Sequence, residues 1–204
     1  MPELRPLNHT GTVRLETDRL ILRPTSITDA EQMYNNWASD PEVTKYLFWK
    51  PHADIEVTKD VLAKWDKENE RSDYYHWGIV AKETGQIIGA GGSLGINEKH
   101  HSTELGYCMS RAYWGKGYMS EAVSAMIAHL FNIVGLNRIT ASHDPNNVGS
   151  GRVMQKCGMT FEGIRRQAHY CVRRGFYDSH SYAILKTDFE KNNSSMIVSQ
   201  KVTS

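Results

Sequence analysis

The sequence predicts a mixed α/β (α+β) domain in which helices flank a mostly antiparallel sheet. Three observations carry this. Two short strand-like runs at residues 75–82 and 86–92 flank Glu83-Thr84-Gly85, the composition of a hairpin turn. Met119, Ala122, Val123, Met126, Ile127, Leu130, Phe131 and Val134 follow the i, i+3, i+4, i+7 spacing of one buried helical face. That helix joins two strand-like segments, and a helical crossover of this kind makes the strands it joins parallel.

The elements follow in order. Residues 19–24 form an opening strand, stopped by Pro24. Thr28, with Glu31 three residues on, reads as a capping box for a short helix to about Trp37. Asp40-Pro41 opens another turn. Pro51 precedes a helix over 54–70 with Val57, Val61, Leu62 and Trp65 on one side. After the hairpin, the polar loop 97–100 leads to a third antiparallel strand over 101–110. Beyond the long helix, residues 138–142 form a strand. Asn147 then caps a helix over 148–157 that Gly158 ends. Closing strands at 160–169 and 176–186 flank a turn at Arg173-Arg174-Gly175. No repeat or linker interrupts residues 13–189, so they form one domain between polar, aperiodic tails at 1–12 and 190–204.

Composition narrows the class. A chain of 204 residues with 40% hydrophobic and 23% charged residues has enough apolar content for one core. A net charge of +1 gives no bulk attraction to nucleic acid or membrane. Residues 1–11 lack the apolar run of a signal peptide, and no apolar stretch is long enough to span a bilayer. Cys108, Cys157 and Cys171 have no metal-ligand spacing, which suits a reducing cytoplasm; His169-Tyr170-Cys171 lacks a partner pair, so no metal is expected.

The stretch Tyr113-Trp114-Gly115-Lys116-Gly117-Tyr118-Met119-Ser120-Glu121 stands where strand gives way to helix. Its two glycines allow a tight turn, and the helix's first turn offers unpaired N–H groups at the positive end of the dipole. This is an anion site, most often for phosphate. It is neither a P-loop, whose lead into Gly-Lys-Ser/Thr is missing, nor a dinucleotide fingerprint, because Ser120 stands in place of the third glycine. Gly89-Ala90-Gly91-Gly92 reads instead as a bulge or close packing within a strand.

That stretch resembles the acyl-CoA pyrophosphate loop of GNAT-superfamily N-acetyltransferases. Asn147-Val148-Gly149-Ser150-Gly151-Arg152-Val153 through Lys156, Gly158 and Met159 is similar to a second motif of the family, at the expected spacing. Leu15-Glu16-Thr17-Asp18-Arg19-Leu20 and Tyr177-Asp178 match its ribosomal-protein alanine acetyltransferase branch. The resemblance implies that the fourth and fifth strands, at 103–110 and 138–144, splay apart, with the pantetheine arm of acetyl-CoA in the gap like an added strand. Backbone of Tyr107, Cys108 and Met109 would line that gap. The pyrophosphate would meet the N–H groups from Trp114 through Gly115, Lys116, Gly117, Tyr118 and Met119, with side chains of Lys116 and Ser120 adding contacts. Lys116 reads equally as a solvated surface lysine. Ala112 departs from the family's usual Gln or Arg, a small loss where backbone does the binding.

Acetyl transfer from a thioester to an amine needs a base, an oxyanion donor and a partner for the leaving thiolate. The resemblance places the oxyanion donor among the N–H groups of 107–109. Glu104 is the candidate base, or else a solvent-facing strand residue. The tyrosine that many relatives use as acid is here Met154, which has no proton to give. Ser150, one turn earlier, reads either as a thiolate partner or as a helix-capping serine, and Asn147 as an N-cap that also meets the pantetheine. Glu121 reads as a first-turn acid favoured by the dipole. Trp37, Tyr46, Phe48, Trp49, Tyr74, Tyr75 and Trp77 make the acceptor half aromatic. The resembling branch suggests a protein N-terminal amine as acceptor. A small-molecule amine (amino acid, polyamine or drug) and a non-catalytic acyl-CoA-binding module are the alternatives, in a monomer or homodimer.

Overall fold

The computed structural model describes residues 5–171 and 175–192. One sheet of eight strands runs through them in the order β1-β2-β3-β4-β5-β6-β8-β7. The strands are β1 (Leu15–Glu16), β2 (Leu20–Arg23), β3 (His76–Ala81), β4 (Ile87–Asn97), β5 (Ser102–Met109), β6 (Arg138–His143), β7 (Thr160–Cys171) and β8 (Gly175–Leu185). Every neighbouring pair is antiparallel except β5 and β6, which are parallel as the intervening helix requires. β1 is too short to show a period and was not anticipated.

The helices cover both faces. α1 (Ala30–Met33) follows a 3-10 turn and runs into a π turn at Tyr34–Ala38; α2 (Pro41–Thr44) and α3 (Ile55–Glu68) come next. On this face Met33, Trp37 and Leu62 pack on Val80, Ile87 and Ala90. α4 (Tyr118–His129), continued as a π turn to Val134, and α5 (Val148–Lys156) cover the other face. There Met126, Ile127, Phe131 and Met154 join Leu22, Ile79, Leu105 and Ile139. All eight residues of the expected α4 stripe are buried.

Three local expectations need correction. The first capping box lies two residues earlier than Thr28 and Glu31: Ser26 Oγ accepts from the Thr28 N–H, and the Asp29 carboxylate accepts from the Ser26 N–H. A bidentate pair with Arg23, at 2.7 and 2.8 Å, holds Asp29 in that place. On α3 Leu62 is buried and Val61 and Trp65 pack beside it as expected, but Thr58 is buried where Val57 is exposed; the hydroxyl of Thr58 is satisfied by His52 Nδ1 at 2.8 Å. Residues 8–11, expected within a tail, are tied to the domain. The Asn8 N–H donates to Val134 O, the Gly11 N–H to Ser72 O, and Thr10 Oγ1 meets His129 Nε2. The turn expected at Arg173-Arg174 and residues 193–204 lie outside the described residues.

Candidate functional site

The site begins where two strands stop pairing. β5 and β6 share only three register positions, the last being Glu104 with Thr140. Beyond it β5 runs on to Met109 and β6 to His143 without meeting. β4 holds β5 in place on its other edge. A Cβ on Gly89 would lie 2.5 Å from Cys108 O, and one on Gly91 would lie 2.9 Å from Tyr107 Cβ. The glycine run is thus close packing of strand on strand. The Ser110 N–H donates to Ile88 O, so in this ladder the hydrogen-bonded pairs are 88/110, 90/108 and 92/106. By the same alternation the backbone groups of Tyr107 and Met109 face the gap, and those of Cys108 face β4. The Cys108 side chain, on the far face, packs beside the α1–α3 cluster, where burial pushes its thiol up to about 12. Of the three residues expected to line the gap, Cys108 is therefore turned away.

The turn before α4 closes one end of the gap. Gly115 and Gly117 take φ values of +74° and +83°, a left-handed backbone that side chains resist. No side chain caps α4; its first backbone bond runs from the Glu121 N–H to Gly117 O. Among the described residues, none accepts from the N–H groups of Gly115, Lys116, Gly117, Tyr118, Met119 and Ser120. This is a row of oriented donors with the chemistry of an anion cradle. Trp114 does not belong to it. Its N–H is spent on Arg111 O, and its indole donates to Met109 O at 2.7 Å. The side chains of Tyr118 and Met119 are buried, so these residues offer backbone only. Lys116 is exposed, with Nζ over the Tyr113 ring at 5.7 Å.

A group that sequence reasoning missed sits behind this turn. Glu121 Oε1 accepts from Thr17 Oγ1 at 2.6 Å and from the Arg19 N–H at 2.9 Å, and Oε2 accepts from Arg19 Nε at 2.7 Å. Against burial, which would raise it, these bonds hold the Glu121 carboxyl below the usual range. Glu121 is thus a buckle between the β1–β2 turn and α4, more than an acid drawn by the helix dipole.

On the α4–α5 face of the gap, Tyr107 meets Ser150. Ser150 Oγ donates to Tyr107 Oη, and Tyr107 Oη donates to Ser150 O, each at 3.1 Å. Burial pushes the Tyr107 phenol well above its ordinary value, so it stays protonated. Asn147 caps α5 by accepting from the Ser150 N–H at 3.3 Å. Met154, one turn further, is buried in the core. His143 lies beneath α5, its Nε2 2.8 Å from where a Cβ on Gly151 would stand.

Glu104 lies on the opposite face, since Leu105, Tyr107 and Met109 alternate toward α4. Its Oε1 accepts from Ser142 Oγ at 2.6 Å and lies 3.9 Å from Arg165 Nη2. Next along, Arg165 Nη2 meets His169 Nε2 at 3.4 Å, and the His169 ring lies 5.2 Å from that of Phe48. Phe48 is exposed, whereas Trp37, Tyr75 and Trp77, also expected among the acceptor aromatics, are core. Ser142 and Arg165 carried no sequence signal; the parallel pairing of β5 with β6 brings Ser142 to Glu104, and the pairing of β6 with β8 and of β8 with β7 brings Arg165 there. Among the described residues no cluster of His, Cys, Asp and Glu could hold a metal, and no helix is long and apolar enough to cross a membrane.

Comparison with known proteins agrees with this geometry. An uncharacterized N-acetyltransferase p20 of Bacillus licheniformis is 33% identical, over 86% of this chain and 97% of its own length. The [ribosomal protein uS5]-alanine N-acetyltransferase of Escherichia coli is 27% identical, over 86% of this chain and 91% of its own. The crystal structure of a GNAT-family acetyltransferase from Bacillus anthracis superposes with a TM-score of 0.75 at 26% identity, covering 86% of this chain and 99% of that one. A family model described as an acetyltransferase (GNAT) domain matches residues 19–160. Those bounds take in the splay, the glycine turn and α5, and the chain belongs to the GNAT acetyltransferases.

Proposed function

We propose that the chain moves an acetyl group from acetyl-CoA directly to a primary amine, and that this amine is a protein N-terminal α-amino group. The observation that carries the transfer reading is the division of the splay. Unpaired backbone donors line it, Ser150 and Tyr107 stand on one face, and Glu104 stands on the other. The donor row from Gly115 to Ser120 fits a pyrophosphate, and the free edge of β5 fits an extended amide-bearing arm. Bound there, acetyl-CoA supplies the acetyl group already activated as a thioester.

The protein's own groups then have separate tasks. The gap-facing N–H of Tyr107 or Met109 stabilises negative charge on the carbonyl oxygen as the N–C bond forms and the C–S bond breaks. Glu104 takes the proton the amine must lose, and Ser142 and Arg165 orient its carboxylate. Ser150 Oγ–H turns from Tyr107 to the departing sulfur. Tyr107 keeps its own proton and fixes Ser150 in place, a hydrogen-bonding role where Met154 leaves no acid.

The acceptor reading is supported by the relative named for acetylating the alanine of ribosomal protein uS5, and by the exposed face around Glu104, Phe48 and His169. We place the reaction in the cytoplasm, a reducing compartment that suits three cysteines, none of them in a disulfide. CoA release tests the acceptor: peptides with a free N-terminal alanine, the same peptides with a blocked N-terminus, amino acids and polyamines. Turnover confined to free N-termini is expected. Turnover with polyamines or amino acids and none with peptides would overturn it in favour of a small-molecule acceptor.

A further inference from the structure

We propose that Arg19 is a positioning residue of the donor site: it holds the Lys116–Gly117 peptide so that the Gly117 N–H is presented to the donor's pyrophosphate. This rests on the acetyl-CoA reading above and adds a residue to it. Arg19 Nη1 donates to Lys116 O at 3.1 Å. In a trans peptide the C=O and the following N–H point in opposite directions. Drawing the Lys116 carbonyl toward Arg19 therefore turns the Gly117 N–H away from Arg19, to the open side of the turn. Gly117, at φ +83°, accepts either orientation of that peptide at little cost, so something outside the turn must choose.

The choice is built from residues far apart in sequence. Arg19 Nε and Nη2 both reach Glu121 Oε2, at 2.7 and 2.6 Å. The guanidinium lies 4.2 Å over the Tyr118 ring, whose hydroxyl donates to Glu83 at 2.9 Å. Thr17, in the turn that carries Arg19, fills the other Glu121 oxygen. With one edge of the guanidinium held by Glu121 and one face by the Tyr118 ring, its Nη1 meets the Lys116 carbonyl. The pair with Glu121 is close to neutral, so its contribution is orientation and not net charge. A lysine could satisfy Glu121 or Lys116 O but lacks the planar fork that does both.

The test compares acetyl-CoA with S-acetylpantetheine, which carries the same thioester without pyrophosphate. In Arg19→Gln and Arg19→Lys, Kd for acetyl-CoA is expected to rise about 10- to 100-fold. The kcat at saturating acetyl-CoA and kcat/KM for S-acetylpantetheine are expected to stay within about twofold of wild type. Glu121→Gln, which keeps the shape and several of the bonds, is expected to fall between wild type and Arg19→Gln. The double variant is expected to be no worse than Arg19→Gln, because both residues act through one peptide. Unchanged acetyl-CoA affinity in Arg19→Gln would overturn the proposal while wild-type binding keeps the donor reading. Equal losses with both donors would overturn it as well, by making Arg19 a general support of the fold. A wild-type chain that does not bind acetyl-CoA would overturn both readings.

Discussion

Replacing Gly117 separates the two properties the donor turn needs, its backbone shape and its positive potential. Asn and Asp are nearly the same size, and both enter the left-handed region more readily than other side chains. A Cβ at Gly117 would have ordinary contact with Arg19 Nη2 at 3.5 Å, so neither residue is excluded by bulk. Strain at φ +83° costs about 1 kcal/mol for either, roughly fivefold in affinity. Aspartate alone adds a negative charge. At about 5 Å from a phosphate and an effective dielectric of about 20, that repulsion is about 3 kcal/mol, two further powers of ten. It also competes with Glu121 for Arg19. Calorimetric titration with acetyl-CoA should therefore give Gly117→Asn a modest loss and Gly117→Asp a loss of at least about 100-fold. The gap between them should narrow as salt is raised. Equal affinities for the two variants at low salt would refute the placement of the pyrophosphate at this turn.

Other expectations follow from the two faces of the splay and from burial. Glu104→Gln should lower kcat by about two to four powers of ten with acetyl-CoA affinity unchanged; unaltered turnover would move the base elsewhere. Ser150→Ala should reduce turnover about 10-fold or more while costing about 1 kcal/mol of stability, since Asn147 Oδ1 still caps α5 by accepting from the backbone N–H of residue 150. Thermal melting that drops with no loss of kcat would return Ser150 to a structural role. Burial pushes the His76 imidazole down to about 4, against an ordinary value near about 6.5. Between those values the unfolded chain binds more protons, so stability falls as pH falls through this window, by about 3 kcal/mol at most. Melting curves from pH 7 to 4 check this, and a midpoint that is flat or rises on acidification would contradict it.

Much of the fold was legible because its signals are local or strongly periodic. The α4 stripe, the Glu83-Thr84-Gly85 hairpin and the Asn147 cap each lie within one window of sequence, and each forms as expected. The parallel β5–β6 pair followed from connection rules. What escaped was long-range. Thr17 and Arg19 lie about a hundred residues from Glu121, and nothing near Glu121 distinguishes a buckle from an ordinary first-turn acid. The Tyr107–Ser150 bond and the Glu104–Ser142–Arg165 cluster likewise depend on sheet register. Cys108 and Trp114 were misplaced by a single step each, one by ladder parity and the other by a donor already used in a 3-10 turn. The opening motif around Arg19 was visible as a resemblance, but its physical purpose was not.

The central claim is that acetyl-CoA lies along the free edge of β5 with its pyrophosphate on the first turn of α4. Amide-resolved NMR during titration of the wild-type chain with acetyl-CoA tests it most directly. The largest shifts should fall on Gly115 to Ser120 and on Tyr107 and Met109, with Cys108 and Trp114 moving less because their N–H groups are already engaged. Binding that shifts the β7–β8 hairpin or α3 and leaves those amides still would contradict the account.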